Sequence, residues 1–164
     1  MNSPKRYHPL MVVLHWLTVI LIFGAGFLSD GEGSSSINPH MILGGLLLVT
    51  LIVRVIVRFT TKRPAWASTG NPFLNKLGEL VHIGLYIAAF SILALGGVIA
   101  YQRNIIGSLL GSGDVLRIRL GIVGALHHLG WIAVVGLLLL HIGGALYHQI
   151  ILKDNLFDRM SLRK

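Results

Sequence analysis

A chain of 164 residues that is 54% hydrophobic and 12% charged, with a mean hydropathy of +0.74, is too apolar for an ordinary soluble domain, which carries about twice that charged fraction. Its formal net charge of +8 sits beside apolar stretches, so it reads as membrane topology and not as a nucleic-acid surface, and no nucleic-acid partner is expected. The absence of cysteine excludes disulfides, thiolate nucleophiles, iron–sulfur clusters and Cys-based zinc sites, leaving redox chemistry to a bound carrier.

Four apolar stretches follow one another, from about Pro9 to Leu28, Pro39 to Phe59, Leu77 to Tyr101 and Ile122 to Leu152. Each reaches the ~20 residues that a helix needs to cross ~30 Å of hydrocarbon. The fold expected is an all-α integral membrane bundle of four antiparallel helices, one transmembrane domain over residues 1–164 with lipid around it. The last stretch is longer than a crossing requires, so it should tilt or project into water. Lys5 and Arg6 ahead of the first stretch, with Gly24-Ala25-Gly26 behind it, resemble a secretory signal, but the run is long for one and contains His15 and Trp16. A retained first helix is expected.

Basic residues give the spans a direction. Lys5 and Arg6 precede the first span, Arg54, Arg58, Lys62, Arg63 and Lys76 surround the connector between the second and third, and Lys153, Arg159, Arg163 and Lys164 follow the last. The remaining connectors hold Arg103, Arg117 and Arg119 beside acidic Asp30, Glu32 and Asp114; apart from these come only the short Gly/Ser turn around Gly31 to Ser36 and no internal repeat. The imbalance puts both termini in the cytoplasm.

Each histidine then acquires a depth. His15 falls in the cytoplasmic half of the first span, His40 near the outer end of the second and His82 near the cytoplasmic start of the third. On the fourth, His127 and His128 are near the outer end, with His141 and His148 toward the cytoplasm; His8 is interfacial. His127 and His141 are fourteen residues apart, about 21 Å along a helix axis. Fourteen steps of ~100° fall within about 40° of whole turns, so both imidazoles leave one face. His40 lies at a similar depth to His127, and His15 to His141, with His82 and His148 as rivals at the inner level. His128 points ~100° away from its neighbour and reads as peripheral.

Two imidazoles on facing helices of a bundle suit the two axial positions of a haem iron. Small residues beside them would admit a flat macrocycle: Gly44 one turn after His40, and Gly130, Gly143 and Gly144 around the histidines of the last span. A lone histidine in a membrane helix commonly just bonds to a neighbouring helix, yet six at paired depths exceed what packing needs. A histidine-lined metal or proton path is the other reading of the same spacing.

The ordered residues resemble the bacterial cytochrome b561 family over nearly the whole chain. They are His15-Trp16, His40 with Gly44 behind it, Arg54 and Arg58 closing the second span, His82, the His127, His141 and His148 series, and Lys153-Asp154-Asn155. That family is similar in turn to the cytochrome b subunits of formate dehydrogenases and hydrogenases. The resemblance implies two haem b groups in the bacterial inner membrane, with His40 and His127 as axial ligands of the outer one and His15 and His141 of the inner one. It also implies exchange of electrons with a quinone, ubiquinone or menaquinone.

Around such a pair, haem propionates need cationic partners, for which Arg54 and Arg58 are placed inside and Arg103 outside. Near the cytoplasmic side, Glu79, His82 and Tyr86 share a helix face, and His148 has Asp154 beyond it; these groups suit proton transfer or a quinone carbonyl. Outside, Arg103, Arg117 and Arg119 suit the steering of a small anionic donor such as superoxide. The expected function is therefore an oxidoreductase linking an outer donor, or a redox partner protein, to the quinone pool. An electron-relay subunit docked on a dehydrogenase or hydrogenase is the alternative, and a histidine-lined metal transporter is one of another class, disfavoured by the few carboxylates within the spans.

Overall fold

The computed structural model describes residues 4–28 and 39–162. The Gly/Ser turn with Asp30 and Glu32, and the terminal Arg163 and Lys164, lie outside the described residues. Four helices are long and apolar enough to cross a membrane, and no strand occurs among the described residues, so the chain is all-α as expected.

Helix α1 spans Pro9–Phe27. Pro9 occupies its first turn, where a missing N–H costs nothing, and the His8 ring accepts from the Leu10 N–H at 3.2 Å as its cap. Helix α2 spans Pro39–Thr60 and again opens on proline. Thr18 and Thr50 would each carry a costly hydroxyl into an apolar setting; they donate instead to the carbonyls of Leu14 and Leu46, one turn back, at 2.7 and 2.8 Å.

Helix α3 spans Pro72–Gln102 and begins five residues before the apolar run that announces it. The local chemistry accounts for the extra turn. Asn71 accepts from the N–H groups of Phe73 and Leu74, Pro72 fits the first helical position, and Asn75 accepts from the backbone and hydroxyl of Thr69. The next connector contains a short helix, α4 (Ile105–Leu109), behind Asn104 at φ 54°, and is closed by Leu116 N–H donating to the Arg103 carbonyl. Helix α5 spans Gly121–Leu146 and continues as a π-helical turn over Tyr147–Leu152. Lys153, left-handed at φ 54°, ends it, and a 3-10 turn over Leu156–Met160 follows.

The helices alternate in direction. Ala25 near the end of α1 meets His40 at the start of α2, and His82 early in α3 meets His141 late in α5. The Tyr7 N–H donates to the Arg159 carbonyl at 3.1 Å, so the segments flanking the four spans meet at one end, called here the termini end; the opposite is the far end.

Packing is uneven. α1 lies along α2 and α3 along α5, whereas α2 touches α3 more sparsely. Leu21, Ile22, Leu47, Leu51, Ala89 and Val134 form a core at mid-height that joins the two pairs, and Met11, Leu14 and Val57 form a smaller one toward the termini end. Around this narrow core, Ile20, Val49, Phe59, Ile87 and Leu139 project outward and stay more than half exposed. That surface is unfit for water and suited to hydrocarbon, while the backbone bonds are satisfied inside each helix.

Candidate functional site

At the far end, His40 in the first turn of α2 faces His127 of α5, with ring centres 6.0 Å apart and planes at 78°. Each ring has its Nδ1 against a backbone carbonyl, His40 at 2.8 Å from Ala25 and His127 at 3.1 Å from Ile92. A carbonyl only accepts, so the ring proton sits on Nδ1 in both cases and the lone pair of the ring on Nε2. Room for the His127 ring comes from α3: a Cβ placed on Gly96 would stand 3.3 Å from its Cε1.

At the termini end, His15 of α1 faces His141 of α5 with ring centres 6.2 Å apart and planes at 64°. His82 of α3 stands edge-on to His141 at 4.8 Å, with its own Nδ1 donating to the Gly78 carbonyl at 2.7 Å. Two tryptophans close the cluster, Trp16 edge-on to His15 and Trp66 edge-on to His82, both at 5.4 Å. His15 differs from the far-end rings because its Nδ1 lies 3.0 Å from Arg54 Nη2. A guanidinium only donates, so this nitrogen accepts.

Two imidazoles sharing one metal, with about 2 Å per metal–nitrogen bond and roughly 1 Å more from each nitrogen to its ring centre, have ring centres about 6 Å apart. Both facing pairs match that span, and His82–His141 is too close for it. Among the described residues no three His, Cys, Asp or Glu side chains converge as a site for a bare metal ion, so the pairs suit a metal that brings its own equatorial ligands. Among the described residues, three buried polar side-chain atoms also lack partners: Arg54 Nε, Tyr86 Oη and Arg103 Nε. Leaving such groups unpaired costs roughly 1–3 kcal/mol each and more when charged. Propionate carboxylates would satisfy two guanidiniums of this kind.

The other residues singled out in the sequence spread around this frame. Arg54 and Arg58 both lie over the Tyr86 ring, 5.5 and 5.9 Å from its centre. Arg58, His82 and Tyr86 line a cleft of about 250 Å³ between α2 and α3 whose remaining walls, among them Phe59 and Phe90, are apolar. Glu79, on the same helix as His82, turns outward to Lys76 at 2.9 Å, both side chains being well exposed. His148 is buried and pairs with Asp154, Nδ1 to Oδ2 at 2.6 Å, in the π-helical turn beyond the cluster. Of the glycines, Gly44 leaves 4.0 Å to Leu93, Gly130 packs on Ile92, and Gly143 and Gly144 face open space. His128 is exposed.

Several partners had no signature in the sequence. The carbonyls of Ala25, Ile92 and Gly78 belong to residues of ordinary type, and Trp66 sits in a loop. Gly96 does carry a sequence signal, as part of a Gly-Gly pair at a depth near His127.

The sequence profile of prokaryotic cytochrome b561 matches residues 6–161. The chain is 29% identical to "Cytochrome b561 homolog 2" of Escherichia coli (strain K12), over 97% of this chain and 93% of that protein. It is 25% identical to "Probable superoxide oxidase CybB" of Yersinia pestis, over 98% of each.

Proposed function

The chain belongs to the prokaryotic cytochrome b561 family of bacterial membrane haem b electron-transfer proteins, and from that premise we propose that it holds two haems and carries electrons from a small donor at its far end to the quinone pool at its termini end. The observation that carries this reading is the pair of facing imidazoles at each end, His40 with His127 and His15 with His141, at a spacing suited to one shared iron. When bound, each haem would supply a one-electron carrier, and His127 and His141, which would each help to hold one, stand about 21 Å apart along α5.

The chain's own residues do the holding. His40 and His127, each with Nδ1 donating to a carbonyl, hold the tautomer whose Nε2 lone pair would ligate iron. His15 reaches that tautomer with its proton on Nδ1, which turns the Arg54 guanidinium toward another acceptor, and a propionate is the acceptor a buried arginine takes. Arg58 adds charge at the same end, and Arg103 provides the corresponding guanidinium at the far end.

The quinone reading is supported by the cleft between α2 and α3. Its apolar walls open toward the surrounding hydrocarbon, and Arg58 and Tyr86 offer donors for a carbonyl beside His82, which touches His141. The strongly basic termini end favours the cytoplasm of the inner membrane, so protons for quinone reduction come from that side. Superoxide is the donor that the Yersinia pestis relative's name suggests, and Arg103, Arg117 and Arg119 would attract it. Two superoxide ions give one electron each and leave as dioxygen, and those two electrons with two protons convert one quinone to its quinol.

The experiment is reduction of the purified, haem-loaded protein by superoxide with a short-chain quinone present. Quinol should form at half the rate of superoxide loss, and the haem reduction rate should fall steeply with ionic strength and on neutralising Arg117 and Arg119. Indifference to both salt and charge removes the superoxide reading. Co-purification with a stable dehydrogenase, and no quinol from the isolated chain, favours a relay subunit instead.

A further inference from the structure

The segment after the last span, 153–160, does more than trail away from α5. Its 3-10 turn reaches across the termini end to three other parts of the chain. The Arg159 carbonyl accepts from Tyr7 N–H at 3.1 Å, the Met160 carbonyl accepts from Trp16 Nε1 at 3.4 Å, and Arg159 Nη1 donates to the Ala65 carbonyl at 2.8 Å. The segment is itself anchored twice to the end of α5, by Asp154 on buried His148 at 2.6 Å and by Phe157 N–H on Gln149 Oε1 at 3.3 Å. Two non-glycine residues in left-handed backbone, Lys153 at φ 54° and Asn155 at φ 55°, make the reversal that brings Asp154 back. Such conformations are uncommon outside glycine and persist where surrounding contacts hold them.

The points of attachment converge on the inner histidines. Trp16, held at its indole nitrogen, is the ring edge-on to His15; Trp66, which directly follows the held Ala65, is the ring edge-on to His82. His82 in turn stands edge-on to His141 at 4.8 Å. The clamp therefore reaches both members of the inner pair, His15 through one tryptophan and His141 through the other and His82. The far-end rings are instead held by carbonyls of α1 and α3, Ala25 for His40 and Ile92 for His127.

We infer that the C-terminal 3-10 turn is a positioning clamp for the termini-end haem site, in which Arg159 and the Met160 carbonyl set the ring orientations of His15 and His141 through Trp66 and Trp16. This rests on the assignment of His15 and His141 as a ligand pair. Arg159, Trp16 and Trp66 are positioning residues, since each acts through a histidine. The orientation of an axial imidazole governs the anisotropy of a low-spin haem signal and contributes to its potential, so the clamp has a readout that general stability does not move.

The test uses the full-length, haem-loaded protein in detergent, with paramagnetic resonance spectra and a redox titration of Arg159→Gln, Arg159→Lys and Trp16→Phe. The haem that His15→Ala removes should change its signal in Arg159→Gln and Trp16→Phe, with the oxidised-to-reduced ratio at fixed potential moving by about threefold, roughly 28 mV for one electron. The other haem should keep its wild-type signal, and Arg159→Lys should lie closer to wild type. Clamp variants that leave both haems unchanged, or disturb both alike, overturn the inference. Should Arg159→Gln not accumulate as folded protein, Trp16→Phe decides by the same two readouts. A His15→Ala protein that keeps both haems contradicts the ligand assignment itself, whatever the clamp variants do.

Discussion

His40 and His127 face each other with ring centres 6.0 Å apart, and each turns its Nδ1 to a carbonyl of the helix beside it, Ala25 of α1 and Ile92 of α3. Two rings on different helices are thus oriented by two further helices, so all four transmembrane helices contribute to one site. The bundle spends its scarce interior on holding imidazoles and leaves most of its apolar residues to the lipid.

The interplanar angles give the first expectation. With planes at 78° for His40 and His127 and 64° for His15 and His141, neither haem should have parallel axial imidazoles. The oxidised protein should show strongly anisotropic low-spin resonance signals, and signals typical of parallel imidazole planes would contradict this geometry.

Gly96 sets the space for His127. A Cβ there stands 3.3 Å from His127 Cε1, so Gly96→Val should push the ring aside and lower far-end haem retention at least tenfold. Gly97→Ala, where nothing lies within 4 Å, is the control and should retain both haems. Haem-to-protein ratios of the two purified variants make the comparison.

The guanidiniums should divide by level. Arg54→Gln should weaken the termini-end haem and Arg103→Gln the far-end haem, each by roughly ten- to a hundredfold, the worth of a hydrogen bond to a charged group at about 1.5–3 kcal/mol. Haem loss to a soluble acceptor such as apomyoglobin, followed for each haem separately, checks it.

Gly26 of α1 lies close against the Trp131 ring of α5. A Cβ there would clash with the Trp131 ring, which only a shift of α1 or of the indole relieves. Gly26→Ala should cost about 1–3 kcal/mol and lower the unfolding temperature in detergent, while Trp131→Leu in the same background should recover part of the loss.

How much of this was legible in the sequence follows from what each feature depends on. The four spans depend on hydropathy alone and were read to within a residue or so except at the start of α3, where Asn71 and Pro72 extend the helix into polar sequence. The face shared by His127 and His141 depends on helical periodicity, and the depths of His15 and His40 on chain direction. Both calculations need only the sequence, and the structure brings the same four rings together in the same two pairs.

The contacts with Arg54, Trp66 and Asp154 depend on how helices lie beside one another and on a chain reversal after α5, which no local pattern encodes. Glu79 illustrates the limit: it shares a helix face with His82 by spacing, yet Lys76 three residues earlier draws its carboxylate outward. His148 has the right spacing to join the inner cluster, but Asp154 folds back to take its Nδ1.

The central claim is that the two facing pairs each hold a haem, and haem content by spectrum tests it most directly. The wild-type protein should bind two haems per chain with low-spin bands, His40→Ala and His15→Ala should each keep one, and the residual spectra of the two variants should differ and together rebuild the wild-type spectrum. One haem per chain in the wild type, or both haems retained in either variant, would contradict it.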